Sequence, residues 1–313
     1  KNIYYKDEDK RFELKSFKAL GGAFAVYKIA SEKKNITVST ATAGNHGRSV
    51  AWGAQRLGLK CKIFISEFVS ESRAEAMRNL DAEVIRVKGN YDNSLKECIE
   101  QSNKNNWEIV QDVSWEGYKE VPKLIMAGYT IMVKEIIDEI NKNSITHVFL
   151  QAGVGGMAAA MIAGFAKLSE NIPQFIIIEP ENADCVFQSI KNNKPTTVDI
   201  KKETVMGGMS CGDVSSIAWE ILKNSANYCL TIPDEAISTA VALLAEKRLS
   251  NEKIIGGECA VPGVIALIGS FNNKEYLDKL KLNSESNVLL FGCEGLTDDA
   301  MYQKLLNDGL QKI

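Results

Sequence analysis

Short apolar runs rich in β-branched residues alternate along the chain with longer stretches in which apolar positions recur at helical spacing. This alternation occurs four times in the first half of the sequence. It is typical of βα units and of a parallel sheet. The predicted strands cover residues 36–41, 61–65, 83–87 and 108–111, and the helices that follow them cover residues 45–57, 71–80, 92–103 and 122–141.

The alternation resumes after residue 145, and the nearly continuous apolar run at residues 175–180 suits a strand buried on both faces. By contrast, residues 1–14 are polar and predict irregular structure, and a short helix is predicted at residues 23–30. Domain boundaries are expected near residues 36 and 134. The other predicted elements are strands at 146–150 and 287–291 and helices at 157–168, 217–224, 234–249, 261–270 and 298–306.

Composition narrows the class of protein. The chain has 313 residues, of which 45% are hydrophobic and 25% charged, and these values are ordinary for a globular enzyme of two domains or one large one. The net charge is −3 without a basic block, which argues against nucleic acid as a partner. Because no apolar run approaches ~18 residues, no membrane span is expected.

The cysteines favour a reducing compartment. There are seven, an odd number, and no two are spaced as a CxxC pair. This pattern indicates neither a zinc site nor a disulfide framework, so we expect no metal site and a cytoplasmic protein.

Two glycine-containing turns lie between a predicted strand and a predicted helix. The first contains Gly44-Asn45-His46-Gly47 and the second contains Gly153-Val154-Gly155-Gly156-Met157. Glycines at a helix N-terminus let backbone N–H groups approach an anion, and the second turn lacks the spacing of nucleotide-binding loops. A single phosphate is its expected guest, although glycine-rich turns also occur for purely structural reasons.

Lys18 and Cys293 are two further candidates for chemistry. Lys18 precedes Gly21-Gly22 at the expected start of a helix, where a lysine can form a Schiff base, although most lysines are simply solvated. Cys293 follows the last predicted strand, where a thiol could meet a ring nitrogen or belong to the core. A lysine, a phosphate loop, an asparagine and a neutral ring partner together suit pyridoxal phosphate.

The motifs resemble those of the fold-type II pyridoxal-phosphate enzymes, the tryptophan synthase β-like superfamily. Within it they are most similar to the diaminopropionate ammonia-lyase family. The resemblance runs from residue 11 to residue 299 and is carried by Phe17-Lys18-Ala19-Leu20-Gly21-Gly22, Gly44-Asn45-His46-Gly47-Arg48, Gln111-Asp112, Trp115-Glu116-Gly117-Tyr118, Gln151-Ala152-Gly153-Val154-Gly155, Glu179-Pro180, Gly257-Glu258 and Glu294-Gly295.

The resemblance implies a fold and an architecture. The fold class would be α/β, with two open, mainly parallel twisted sheets that carry helices on both faces. Residues 1–36 and 134–313 would form a large cofactor-binding domain, and residues 37–133 a small α/β domain, with the cofactor in the cleft between them. A homodimer is expected on the same ground.

The resemblance also implies a reaction and its residues. The family converts 2,3-diaminopropionate to pyruvate and ammonia by α,β-elimination, with pyridoxal 5′-phosphate as cofactor. Lys18 and Asp112 would be catalytic, Lys18 as the Schiff-base lysine and α-proton base, and Asp112 as the acid that handles the second amine. The implied cofactor-binding residues are Lys18, Asn45, Gly153, Val154, Gly155, Gly156, Met157 and Cys293, and the implied substrate-binding residues are Ala43, Gly44, His46, Asp112 and Glu258.

The chain departs from the family at one position. Family members carry an aspartate directly before Gly-Asn-His-Gly, and this chain has Ala43 there. In the family that aspartate is linked to deprotonation of the D-isomer from the face opposite the lysine. Since alanine cannot accept a proton, we expect the L-isomer to be favoured.

Two alternative functions stay open at this point. One is a dehydratase-type ammonia-lyase that acts on serine, threonine or 3-hydroxyaspartate. The other is a non-catalytic ligand-binding protein on the same scaffold. Asp112 favours 2,3-diaminopropionate over the hydroxy amino acids of the dehydratase alternative, because an acidic residue suits a substrate with a cationic β-amine.

Overall fold

The computed structural model describes residues 2–42, 44–140 and 145–313. Packing divides the chain into two units. The smaller unit comprises residues 11–129, and the larger comprises residues 1–10 and 130–313. Each unit is built around its own parallel sheet, which confirms the predicted α/β class.

The smaller unit contains a four-stranded sheet in the order β4-β3-β2-β5, and every recorded pair of strands is parallel. Strand β3 (Lys60–Ser66) buries three consecutive side chains, Ile63, Phe64 and Ile65, and packs against α2 and α4. The elements of this unit are α1 (Lys18–Glu32), β2 (Thr37–Ala41), α2 (Asn45–Arg56), β3 (Lys60–Ser66), α3 (Glu71–Arg78), β4 (Ala82–Val87), α4 (Tyr91–Asn105), β5 (Glu108–Ile109) and α5 (Glu120–Tyr129).

The larger unit contains a five-stranded sheet in the order β1-β9-β6-β7-β8, again with parallel pairs. Its elements are β1 (Asn2–Asp7), α6 (Ile131–Glu139), β6 (His147–Gln151), α7 (Gly156–Leu168), β7 (Gln174–Pro180), α8 (Cys185–Asn192), α9 (Ser216–Ser225), β8 (Tyr228–Ile232), α10 (Glu235–Ala245), α11 (Pro262–Phe271), α12 (Lys274–Leu280), β9 (Asn287–Gly292) and α13 (Asp299–Leu310).

The prediction of irregular structure at residues 1–14 is wrong for β1, which pairs with β9 from Asn2↔Asn287 to Asp7↔Gly292. The edge strand β8 at Tyr228–Ile232 was not predicted either. Both strands lie at edges of the sheet, and the residues of β1 are partly exposed. Their order comes from pairing with strands that are distant in sequence, so a local apolar pattern does not reveal it.

The helix predicted at residues 23–30 begins five residues earlier, at Lys18. Gly21 and Gly22 therefore lie inside α1 and are not in a turn. A Cβ atom on Gly21 would stand 2.4 Å from Tyr129 Cε1, and one on Gly128 would stand 2.3 Å from the Leu20 carbonyl oxygen. These glycines are needed for the close crossing of α1 and α5.

The predicted helix at 122–141 is two helices, α5 and α6, which meet at Thr130. Residue 141 lies outside the described part of the chain. The smaller unit ends at Tyr129, close to the predicted boundary near residue 134. Residues 11–36 were predicted to belong to the large domain, but they group with the smaller unit because α1 packs against α2 and α5.

Helices α8 and α12 were not predicted. Both are short, with eight and seven residues. Across the described residues, no helix is both long enough and apolar enough to cross a membrane.

Candidate active site

In the smaller unit, Lys18 is the first residue of α1, and its ammonium group contacts the carboxylate of Asp112. Its Nζ also lies 5.4 Å from the centroid of the Phe17 ring and 5.9 Å from that of Tyr129. The side chains of Lys18 and Asp112 are 23% and 14% exposed. The lysine nitrogen therefore lies in a partly enclosed setting of two aromatic rings and one carboxylate.

Asp112 follows the short strand β5. Burial would by itself raise the pKa of Asp112, but the adjacent Lys18 ammonium group, which donates to the carboxylate, outweighs burial and holds the pKa well below its usual range. Asp112 is consequently ionised at neutral pH and acts only as a hydrogen-bond acceptor.

His46 lies in the first turn of α2 and is 4% exposed. Its Nε2 lies 2.7 Å from the carbonyl oxygen of Val110, and because a carbonyl only accepts, Nε2 carries the proton. Burial lowers the pKa of His46, and neutral imidazole then leaves Nδ1 as an acceptor. Nδ1 makes no hydrogen bond with any described residue and lies 3.7 Å from Asp112 Oδ2.

Asp112 and His46 thus present two neighbouring acceptors, a carboxylate oxygen and a bare imidazole nitrogen. Two acceptors side by side repel each other unless a donor lies against them, and here the Lys18 ammonium group donates to the Asp112 oxygen. A cationic N–H donor satisfies this arrangement better than a neutral hydroxyl, because it is attracted by the carboxylate charge. The electrostatics of this corner therefore favour an ammonium group.

Gln111 holds the segment that carries Asp112, a role that the sequence did not reveal. Its side-chain oxygen accepts from Thr40 Oγ1 at 2.8 Å and from the backbone N–H of Ala41 at 3.0 Å. Its amide nitrogen donates to the Ala41 carbonyl at 3.0 Å and to the Tyr91 hydroxyl at 2.7 Å. A fully buried amide with all these bonds fixes the loop after β5 against the end of β2.

The turn before α2 is held by Thr42, whose hydroxyl accepts from the N–H groups of Gly44 and Gly47 at 3.0 and 3.2 Å. A Cβ atom on Gly47 would stand 2.4 Å from Thr42 Cγ2, so this close turn needs glycine. Asn45 is the first residue of α2. Ala43, which was predicted to bind substrate, lies outside the described residues.

In the larger unit, the glycine loop (residues 153–157) runs from the end of β6 into the first turn of α7, as predicted. Gly155 is the N-cap residue with φ +87°, and as a glycine it offers no side chain to cap the first turn of the helix. A Cβ atom on Gly155 would stand 2.8 Å from Leu222 Cδ1, and one on Gly153 would stand 3.1 Å from Cys211 Sγ. A narrow glycine loop at a helix N-terminus of this kind suits an anion such as phosphate.

Cys293 directly follows β9 and is 4% exposed. Its thiol donates to the carbonyl oxygen of Cys259 at 3.0 Å. Gln151, the last residue of β6, links the start of the glycine loop to the segment around Cys259 and to the end of β9. Its amide nitrogen donates to the carbonyls of Cys259 and Phe291 at 2.9 and 2.7 Å. Gln151 was quoted only as part of a motif, and its bridging role between β6 and β9 was not predicted.

Glu258 directly precedes Cys259 in the chain and is buried. The ligand atoms of Glu258, Cys259 and Glu294 lie within 4.8 Å of one another. Glu294 accepts from the backbone N–H of Cys259 at 3.0 Å, which ties the loop before α11 to the end of β9. In this unit the glycine loop, Cys293 and Glu258 are therefore linked through Gln151 and Cys259.

The side chains present fit pyridoxal phosphate. The smaller unit offers a lysine amine beside a carboxylate, and the larger offers an anion-binding helix N-terminus without room for side chains. Burial well above 90% for Cys293 suits contact with an apolar ring more than with water.

Comparison with known proteins agrees with this reading. The family described as pyridoxal-phosphate dependent enzymes matches residues 1–293 of the chain. The diaminopropionate ammonia-lyase of Escherichia coli (strain K12) is 34% identical over 333 residues, which is 99% of this chain and 84% of that protein. The diaminopropionate ammonia-lyase of Salmonella typhimurium (strain LT2) is 33% identical, over 98% of this chain and 84% of that protein.

Among solved structures, the crystal structure of the Escherichia coli diaminopropionate ammonia lyase in complex with D-serine superposes with a TM-score of 0.91. It is 33% identical, and the match covers 98% of this chain and 83% of that chain. The similarity therefore extends over both units.

Proposed function

Because the chain belongs to the pyridoxal-phosphate dependent enzymes and, within them, to the diaminopropionate ammonia-lyases, we propose that it converts 2,3-diaminopropionate to pyruvate and ammonia. It is a carbon–nitrogen lyase with pyridoxal phosphate as cofactor. When bound, pyridoxal phosphate supplies an electron sink for negative charge at the substrate α-carbon.

The observation that carries the substrate proposal is the pair of acceptors formed by Asp112 and His46. The β-amine of diaminopropionate is an ammonium group at neutral pH, and it matches a carboxylate beside a bare imidazole nitrogen. Holding this amine protonated prepares it to leave as ammonia. A β-hydroxyl, as in serine, carries no charge and gains less from the same pair, which weakens the dehydratase alternative.

The other residues receive roles by the chemistry of their groups. Lys18 would hold the cofactor through its aldehyde group, and its amine would accept the α-proton of the L-substrate. The N–H groups from Gly153 to Met157 would hold the phosphate. Asn45 would meet the ring hydroxyl and Cys293 the ring nitrogen, and Gly44 and Glu258 would lie against the substrate.

We also propose that the L-isomer is favoured. Lys18 can reach the α-proton on only one face of the cofactor plane, and deprotonation of the D-isomer needs a base on the other face. Ala43 supplies no such base. This argument rests on the residue type alone, as Ala43 is outside the described residues.

A homodimer in the cytoplasm is the proposed form of the enzyme. The family resemblance supports the dimer. The seven cysteines, none of which forms a disulfide bond, support a reducing compartment. Light scattering of the purified protein measures its molar mass. A mass equal to that of one chain would contradict the proposed dimer.

The role of Lys18 is tested by reduction with borohydride. The purified protein with pyridoxal phosphate is expected to absorb in the visible, and borohydride is expected to fix the cofactor on the peptide that contains Lys18. Lys18→Ala is expected to lose both the visible band and pyruvate formation, because no other amine takes its place. Modification of a different lysine, or an unchanged spectrum in Lys18→Ala, would contradict the assignment.

A further inference from the structure

Glu179 is a fully buried carboxylate that the proposed reaction does not use. It lies near the end of β7 and is 0% exposed. Its two oxygens accept from the backbone N–H groups of Val186 at 2.9 Å and Phe187 at 2.6 Å. These N–H groups belong to the first turn of α8, which has no side-chain bond from its own N-cap residue, Asp184. Glu179 therefore caps α8 from a neighbouring strand.

The first residues of α8 contact the glycine loop from one side. The thiol of Cys185 lies 3.6 Å from the carbonyl oxygen of Gly153 and 3.7 Å from Glu179 Oε1. Val186 Cγ2 lies 3.7 Å from the point where a Cβ atom of Gly155 would stand. Glu179 therefore holds the turn of α8 in which Cys185 contacts Gly153 and Val186 lies near Gly155.

The direction of a carbonyl group determines the direction of the next N–H group, because the trans peptide is planar and the two point to opposite sides. The contact from Cys185 to the Gly153 carbonyl therefore turns the N–H of Val154 the other way. Likewise, the N–H of Ser215 binds the Val154 carbonyl at 2.9 Å and directs the N–H of Gly155. Both N–H groups belong to the loop proposed to hold phosphate.

We propose that Glu179 is a positioning residue for the cofactor phosphate: it fixes the start of α8 so that Cys185 orients the Gly153–Val154 peptide. The inference rests on the proposed role of the glycine loop as the phosphate site. Burial raises the pKa of Glu179 to about 8. The carboxyl group is therefore largely protonated at neutral pH and adds little negative charge beside an anion. A carboxyl at this position thus supports the loop without opposing phosphate binding.

The test compares two ligands that differ only in the phosphate, pyridoxal phosphate and pyridoxal. Binding of each to the cofactor-free protein is followed by tryptophan fluorescence and visible absorbance. In Glu179→Gln the amide can accept one of the two α8 N–H groups but turns its own NH₂ toward the other. We expect its dissociation constant for pyridoxal phosphate to rise about tenfold or more, with less than about a twofold change for pyridoxal.

Cys185→Ala and Cys185→Ser examine the link to the loop independently of Glu179. Alanine removes the donor and should reproduce the phosphate-specific loss, whereas serine keeps a donor and should recover part of the affinity. Since each variant is read as a ratio of two affinities, the test holds even if Glu179→Gln folds poorly. The ³¹P resonance of bound pyridoxal phosphate should shift in the variants that lose affinity.

Asn273→Ala is the matched control. Asn273 caps α12 in the same unit by accepting from the N–H groups of Glu275 and Tyr276 at 2.9 and 3.4 Å. Its loss should lower the thermal midpoint and leave the ratio of the two affinities unchanged. Equal losses for both ligands in Glu179→Gln and Cys185→Ala, or no loss in either, would overturn the inference. A wild-type protein that binds pyridoxal as tightly as pyridoxal phosphate would instead overturn the role of the loop.

Discussion

At the scale of the residue, the proposed recognition of an ammonium group depends on which nitrogen of His46 carries the proton. The Val110 carbonyl holds the proton on Nε2, so Nδ1 faces Asp112 as an acceptor. The sequence identified both side chains by family resemblance. It could not show the tautomer, because the carbonyl that decides it belongs to a residue 64 positions away.

Asp112→Asn tests this pairing. The amide keeps the shape but removes the charge that attracts the β-ammonium group, and loss of one partner of a buried charged pair costs about 2–5 kcal/mol. We expect kcat/KM for L-2,3-diaminopropionate to fall about 30-fold or more, and that for L-serine to fall much less. Pyruvate release from each substrate measures both values. Equal losses would mean that Asp112 does not recognise the amine.

Ala43→Asp tests the isomer preference. The parent protein should be nearly inactive on D-2,3-diaminopropionate, because the loss of a general base typically costs about 10²–10⁴ in rate. The aspartate should restore activity on the D-isomer and leave activity on the L-isomer within a few-fold. The control is Ala43→Asn, which has the same size without a basic carboxylate and should restore nothing. Equal rates of the parent protein on both isomers would show that another residue serves the second face.

At the scale of the element, the sequence predicted the central strands and the helices between them, since their buried residues form continuous or periodic apolar runs. It also placed the glycine loop correctly between β6 and α7. The predicted start of α1 was wrong because glycine usually ends a helix, and only the packing of Gly21 on α5 and of Gly22 on α2 shows why two glycines lie within it. The edge strands β1 and β8 were not predicted, because they are stabilised by pairing with strands that are distant in sequence.

Gly21→Ala tests the crossing of α1 and α5. A methyl group there would meet the Tyr129 ring and the Ile125 carbonyl at 2.4 and 2.6 Å, and overpacking of this kind typically destabilises by about 1–3 kcal/mol. Gly269→Ala in α11 is the matched control, because nothing lies within 4 Å of its Cβ position. It should be neutral or stabilise by up to about 1 kcal/mol. Urea unfolding measures both, and equal stabilities would contradict the packing described for α1.

At the scale of the whole molecule, the candidate residues are divided between the two units. The smaller unit carries Lys18, Asp112 and His46, and the larger carries the glycine loop, Glu258 and Cys293. The sequence predicted both sets by residue type and family resemblance. It could not reveal the buried polar residues that hold them, Gln111, Gln151 and Glu179, because their partners are backbone groups that only the fold brings near.

The most direct test of the central claim is the stoichiometry of the reaction with L-2,3-diaminopropionate. Protein loaded with pyridoxal phosphate should release two molecules of ammonia for each pyruvate, and kcat/KM should exceed that for L-serine by about tenfold or more, since a charge-assisted contact is worth about 1.5–3 kcal/mol. Lys18→Ala should release neither product. Pyruvate from L-serine but none from the diamine, with the cofactor bound, would contradict the account.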